Sequence, residues 1–193
     1  MPTILTHAAV PLALGLGLGS RIVPPRLLIA GVLAAMLPDL DVLAFLLHIP
    51  YADDFGHRGI SHSLLFALAV GLLALLAAPQ LRSSRWLALA FIGLAGASHG
   101  LLDMFTNGGL GVALWWPWSG ERLFMPWQVI EVSPLTLQRL LSPRGVAVLQ
   151  SELFWVWQPA LALSCALLML RKIGSMGHQS TGTRGNGYHP DSE

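Results

Sequence analysis

The residues of this sequence best suited to chemistry are imidazoles and carboxylates set beside long apolar runs. In "SHGLLDMFT", His99 and Asp103 stand at i and i+4, so a helix puts both on one face, with Gly96 and Thr106 extending it. In "LPDLD", Asp39 and Asp41 lie two apart beside a proline that should interrupt a helix. There both could reach one cation or bridge two. "HRGISHS" supplies His57, Arg58 and His62 immediately ahead of an apolar run, and His7 stands near the start of the chain. Imidazole nitrogen and carboxylate oxygen are ligands for divalent metals such as zinc. The candidate ligands are therefore His7, Asp39, Asp41, His57, His62, His99 and Asp103. A carboxylate not fully used as a ligand, Asp41, could take a proton from water. Arg58 could hold an anionic group such as a phosphate, with an ion pair to Asp53 or Asp54 as the alternative.

The elements that must position these residues are apolar helices. The chain has 193 residues, 54% hydrophobic and 11% charged, where a soluble domain carries about 25% charged residues. This is a membrane composition, and the expected fold is an all-α bundle of about five membrane-embedded segments. Residues 63–78, 86–105 and 153–170 read as spans, the last stopped by Arg171 and Lys172 and expected to kink at Pro159. Residues 8–19 and 27–47 read as a hairpin whose second arm breaks near "PDLD". The first arm is a retained helix rather than a signal peptide, because Arg21 and Arg26 follow the apolar stretch instead of preceding it. Residues 1–173 form the membrane domain, and the Gly- and Ser-rich residues 174–193 a disordered polar tail in which His178 and His189 are inert.

The loops sort by charge. Arg21 and Arg26, Arg82 and Arg85, and Arg171 and Lys172 all follow segments that run the same way, which makes that side cytoplasmic. The opposite side receives the 57–63 stretch and the long 107–149 segment, with Trp115, Trp116, Trp118 and Trp127 as interfacial anchors. On this topology His7, "LPDLD", His57, His62, His99 and Asp103 converge at one end of the bundle. An aspartate at a helix centre in a bilayer costs about 2.5–3.5 kcal/mol on insertion scales, and a shared cation offsets that cost.

Simpler readings exist for each residue alone. Asp39 or Asp41 could cap a helix, His99 and Asp103 could be a structural pair, and His48 reads as interfacial. "GASHG", residues 96–100, matches a serine-hydrolase elbow but lies inside a helical run, where Ser98 reads as a small packing residue or a hydroxyl bonding back to its own helix. The single cysteine, Cys165, reads as a small buried hydrophobe. No basic tract with interleaved aromatics suggests nucleic acid.

The order of these motifs, His7, "LPDLD" at 37–41, "HRGISHS" at 57–63, "SHGLLDMFTNGG" at 98–109 and "WWPWS" at 115–119, resembles the YdjM-like family of membrane-bound proteins classed as metal-dependent hydrolases. The likeness covers roughly residues 1–130. It implies an inner-membrane, multi-pass protein whose ligands fall on the seven residues named above. A weaker similarity to zinc-dependent phospholipase C and P1 nuclease favours a phosphoester. The expected function is hydrolysis of a phosphoester or ester of an amphiphilic, lipid-like substrate by water activated on one or two divalent ions, zinc first among them. The site is expected on the non-cytoplasmic side. The alternative is a non-catalytic metal-binding or transport protein, although the polar groups cluster at one end rather than at the midplane and no internal repeat is evident.

Overall fold

The apolar runs fold into antiparallel helices, and a computed structural model describes residues 1–134 and 137–182. A 3-10 turn, Ile4–Ala8, leads directly into α1 (Ala9–Leu18). Helix α2 (Pro25–Met36) passes without a gap into a 3-10 helix, Leu37–Leu47. A further 3-10 turn, Ile60–His62, precedes α3 (Leu64–Ala77), which Ser63 caps by accepting the Phe66 N–H. Ser84 opens α4 (Arg85–Met104) in the same way. After an extended stretch come the one-turn α5 (Leu137–Leu140) and then α6 (Pro143–Glu152). A π-helical turn, Leu153–Trp157, joins α6 to α7 (Gln158–Gly182). Among the described residues no strand forms. Isolated bridges tie Thr106 to Ile130 and Val112 to Leu123.

Small residues set the closest packing. Helices α3 and α4 form a hairpin in which Gly71 faces Gly93; a Cβ on Gly71 would sit 3.0 Å from the Leu89 carbonyl oxygen. Such seams let helix backbones approach in lipid, where no hydrophobic effect drives helices together. The main apolar core joins Val23, Leu27 and Ala34 to Ala74, Ala88, Phe91 and Ile92. Helix α1 packs against α7, and α2 against α4. Arg26 donates to the Gln80 carbonyl and Arg171 to the Gly17 carbonyl, so the basic loops gather at one end of the bundle.

Three helices among the described residues are long and apolar enough to cross a membrane: Pro25–Leu47, Arg85–Met104 and Pro143–Ser175. Ile4–Leu18 and Leu64–Ala77 are apolar but shorter. At 1.5 Å per residue Leu64–Ala77 is about 21 Å long, less than the roughly 30 Å of hydrocarbon. Of the five segments expected, three therefore meet the length. The second arm is not broken at "PDLD" but rewound from α to 3-10, an 11-residue stretch where such runs seldom exceed three or four.

Other expectations change. The last span begins at Pro143 rather than 153, so the loop after α4 is shorter than 107–149. The helix also continues past Arg171 and Lys172 to Gly182, with no proline to stop it, so the start of the supposed disordered tail is helical. Residues 183–193, including His189, lie outside the described residues. Pro159 lacks an N–H for its helix, and the π turn just before it, closed by Gln158 N–H to the Leu153 carbonyl, accommodates the mismatch expected as a kink. Cys165 is exposed on the outer face of α7, not buried. Trp115, Trp118 and Trp127 are exposed, as interfacial anchors would be.

Candidate metal centre

The rewinding at Leu37 decides what "PDLD" does. A 3-10 helix has 3.0 residues per turn, so residues two apart point about 240° from one another. Asp39 therefore turns into the bundle and is 2% exposed, while Asp41 turns towards the 57–62 loop. In a 3-10 ladder the Ala35 carbonyl would bond the N–H of residue 38, but Pro38 has none. That carbonyl instead accepts the Nδ1–H of His99 at 2.7 Å.

Helix α4 presents His99 and Asp103 on its buried face, as the i, i+4 spacing predicts. Gly100 lets the 57–62 loop approach: a Cβ there would lie 2.5 Å from the His62 carbonyl oxygen. The 3-10 turn at the N-terminus brings His7 onto His99, with ring centroids 3.6 Å apart and planes inclined by 17°. His7, His99 and Asp103 are wholly buried.

Four of these side chains meet at their polar tips. Ligand atoms of Asp39, His62, His99 and Asp103 all lie within 4.8 Å of one another. His62 Nε2 is 2.9 Å from His99 Nε2 and 3.2 Å from Asp103 Oδ2, and His99 Nε2 is 3.5 Å from Asp39 Oδ1. Tetrahedral zinc with bonds of about 2.0–2.1 Å holds its ligand atoms roughly 3.3 Å apart. His7 Nε2 lies 3.7 Å from Asp39 and 3.6 Å from Asp103, close enough to join or replace a ligand.

The tautomers explain why this cluster suits a cation. An ionised carboxylate only accepts, so Asp41 must receive protons from its neighbours. It accepts from His57 Nδ1 at 2.5 Å, Ser61 Oγ at 2.7 Å and the Arg58 N–H at 3.1 Å, and His62 Nδ1 stands 3.2 Å away. With Nδ1 protonated on both His62 and His99, their Nε2 lone pairs face each other at 2.9 Å. Both oxygens of Asp39 and both nitrogens of His7 lack any hydrogen-bond partner although buried, and Asp103 Oδ2 stands 3.0 Å from Arg58 Nε and 3.2 Å from His62 Nε2. Lone pairs and bare carboxylates converging out of water repel unless a positive charge sits among them. A proton can serve: burial works against charge on His62, but the hydrogen bonds and charges of Asp103 and Asp41 outweigh it and push its pKa up to about 9. A divalent cation serves better, because Asp39, His62, His99 and Asp103 can each offer it one ligand atom at once. The donor set fits one.

Of the seven expected ligands, Asp39, His62, His99 and Asp103 converge, with His7 stacked on His99 beside them. Asp41 and His57 stand behind His62; with it they form a second grouping of potential ligands, joined to the first through the two nitrogens of one ring. Arg58 departs from expectation. It is wholly buried with φ 64°, a left-handed conformation rare for a non-glycine residue. Its Nε lies 3.0 Å from Asp103 Oδ2, Nη1 donates to the Gly108 carbonyl and Nη2 to Thr106 Oγ1. Its partner is thus Asp103, not Asp53 or Asp54, and protein atoms occupy the nitrogens expected to hold an anion. Ser98 donates to the Ala95 carbonyl at 2.7 Å, as expected of a back-bonding hydroxyl. His48 is exposed and away from the cluster.

Sequence reasoning missed Glu152. It is 1% exposed and accepts from the Thr3 N–H, Thr3 Oγ1 and Thr6 Oγ1, the last two at 2.7 Å. Trp157 Nε1 donates to Thr6 Oγ1. This knot holds the turn that carries His7. A lone acid directly ahead of an apolar run was the signal available.

A buried His/Asp cluster inside a bundle of apolar helices defines a helical membrane protein with a potential metal-binding site. The chain matches the YdjM inner membrane protein family over residues 1–175 and belongs to that family. A relative, the inner membrane protein YbcI of Escherichia coli (strain K12), is 50% identical over 173 residues, covering 89% of this chain and 100% of YbcI. No solved structure matches the chain.

Proposed function

We propose that the protein is a multi-pass inner-membrane hydrolase that uses one or two divalent cations, zinc foremost. The observation that carries this reading is the pair of imidazole Nε2 atoms 2.9 Å apart beside the buried Asp39 carboxylate, which has no hydrogen-bond partner. Asp39, His62, His99 and Asp103 would hold the ion, with His7 as an adjacent fifth group. When bound, such an ion supplies Lewis acidity to water and to a substrate oxygen.

The remaining residues have separate work. Asp41 orients His62 and His57 through their Nδ1 atoms, as carboxylates behind metal-ligating histidines do. With its oxygens taken by donors, Asp41 is a weaker proton acceptor than the sequence suggested. The role passes to His57, whose Nε2 lone pair Asp41 fixes. Arg58 holds Asp103 in place.

All five apolar segments are taken as embedded, with the cluster at the end opposite Arg21, Arg82 and Arg171. The positive-inside bias then faces the site away from the cytoplasm. An amphiphilic phosphoester or ester is the proposed substrate. An apolar cavity of about 430 Å³ at the C-terminal end of α4, lined by Leu102, Phe105, Trp127 and Trp155, supports this.

The complete burial of His7, His99 and Asp103 favours a second reading, a cation that is held without catalysis. Elemental analysis of detergent-purified wild type beside His99→Ala, followed by a panel of lipid and phosphoester substrates, separates the two. Bound metal with turnover supports the hydrolase. Metal without turnover supports the second reading, and wild-type protein without metal overturns both.

A further inference from the structure

The opposite end of the bundle carries a second feature, independent of the metal site. Between the end of α1 and α7 lies a cavity of about 470 Å³ with an apolar floor of Leu18, Ile22 and Leu168 and a rim of Arg21, Arg171 and Lys172. Arg171 is clamped there. Its Nη1 donates to the Gly17 carbonyl at 3.2 Å, at the negative end of the α1 dipole. Gly19, at φ 77°, makes the room; a Cβ on it would lie 2.2 Å from that nitrogen.

Among the described residues no carboxylate answers these cations: Arg21, Arg171 and Lys172 form no ion pair, while Asp39, Asp41 and Asp103 lie in the cluster at the other end and Glu131 pairs with Arg144. A positive-inside bias alone would scatter charge over loops. Here the charge rims a groove that is apolar below and cationic above, which is the anatomy of a phospholipid standing in its leaflet.

We propose that this groove binds one anionic phospholipid, its phosphate on Arg21, Arg171 and Lys172 and its acyl chain on Ile22 and Leu168. A headgroup carrying its own cation would return one positive charge to a rim with no acid among its described residues, so lipids of net negative charge are preferred. A free phosphate would leave the apolar floor without a role. Basic pockets between membrane helices on the cytoplasmic side commonly take such headgroups.

The test is native mass spectrometry of the detergent-purified full chain titrated with phosphatidylglycerol, phosphatidylcholine or glycerol 3-phosphate. Phosphatidylglycerol should bind one to one and more tightly than either of the others. Arg21→Gln with Lys172→Gln should weaken it about 25-fold, at roughly fivefold for each cation near the surface. Arg21→Lys with Lys172→Arg should restore it. Arg82→Gln with Arg85→Gln, which removes equal charge from the same end outside the groove, should leave it within about twofold. Equal affinity for phosphatidylcholine, equal affinity for glycerol 3-phosphate, or an equal loss in the Arg82/Arg85 variant would each overturn the proposal.

Discussion

Replacing Asp41 tests whether hydrogen bonds behind the cluster set the lone pairs within it. One oxygen of Asp41 serves His57, at 2.5 Å; the other serves Ser61 and the Arg58 N–H, with His62 Nδ1 at 3.2 Å. Asp41→Ala removes both oxygens and frees His62 to exchange its tautomer. Losing such a partner lowers metal affinity by about 10- to 100-fold, or roughly 1.4–2.7 kcal/mol. Asp41→Asn should behave differently. Its single oxygen can stay on the side that serves His62, so metal affinity should fall by no more than about tenfold. Its amide then faces His57 Nδ1, forces that ring to accept, and moves the proton to Nε2. If His57 is the base, turnover in this variant should drop by about 10²- to 10⁴-fold, the usual worth of a general base. Chelator competition reads the affinity, and initial rates on the substrate found by the panel read turnover. Wild-type metal affinity in Asp41→Ala would refute the idea that Asp41 fixes the ligand face of His62.

Other perturbations probe the frame around the site. Asp103→Asn leaves Arg58 buried without its counter-charge, which costs about 3–5 kcal/mol; at about 2–4 °C per kcal/mol for a chain of this size, detergent-phase Tm should fall by roughly 6–20 °C. A fall under about 2 °C would show that Arg58 does not depend on Asp103. Glu152→Ala strands the Thr3 and Thr6 donors and should lower Tm and loosen metal binding through His7, with Glu152→Gln intermediate. Gly100→Ala puts a methyl 2.5 Å from the His62 carbonyl, so it should weaken metal binding although it touches no ligand. Removing the metal should itself lower Tm, since a ligand held at 100 times its Kd stabilises by about 2.7 kcal/mol; a Tm indifferent to chelator would count against a resident ion.

Much of the site was legible because its signals are local. The i, i+4 spacing of His99 and Asp103 and the convergence of alternating apolar runs predicted that remote imidazoles and carboxylates would meet, and four of the seven expected ligands converge, with His7 beside them. What was not legible depends on non-local partners. Arg58 lies next in sequence to His57 and near Asp53 and Asp54, yet its guanidinium is taken by Asp103 and Thr106 from another helix. Glu152 gave almost no signal, because its partners Thr3 and Thr6 are about 150 residues away. Helix ends were misjudged where polarity was taken as a stop: α7 runs beyond Lys172 because hydrogen-bonding geometry, not hydropathy, ends a helix.

The proline of "LPDLD" links these two kinds of information. In sequence it reads as a helix breaker, and the expected consequence was a bend. In the bundle the chain does not break; it tightens to three residues per turn, where Asp39 and Asp41 lie about 120° apart around the axis and meet different neighbours. The same missing N–H leaves the Ala35 carbonyl for His99, and that bond keeps a proton on Nδ1 and a lone pair on Nε2. One residue with no titratable group thus helps aim a carboxylate and sets a tautomer. The ligand face of the cluster is therefore written partly in backbone hydrogen bonds that no list of histidines and aspartates contains.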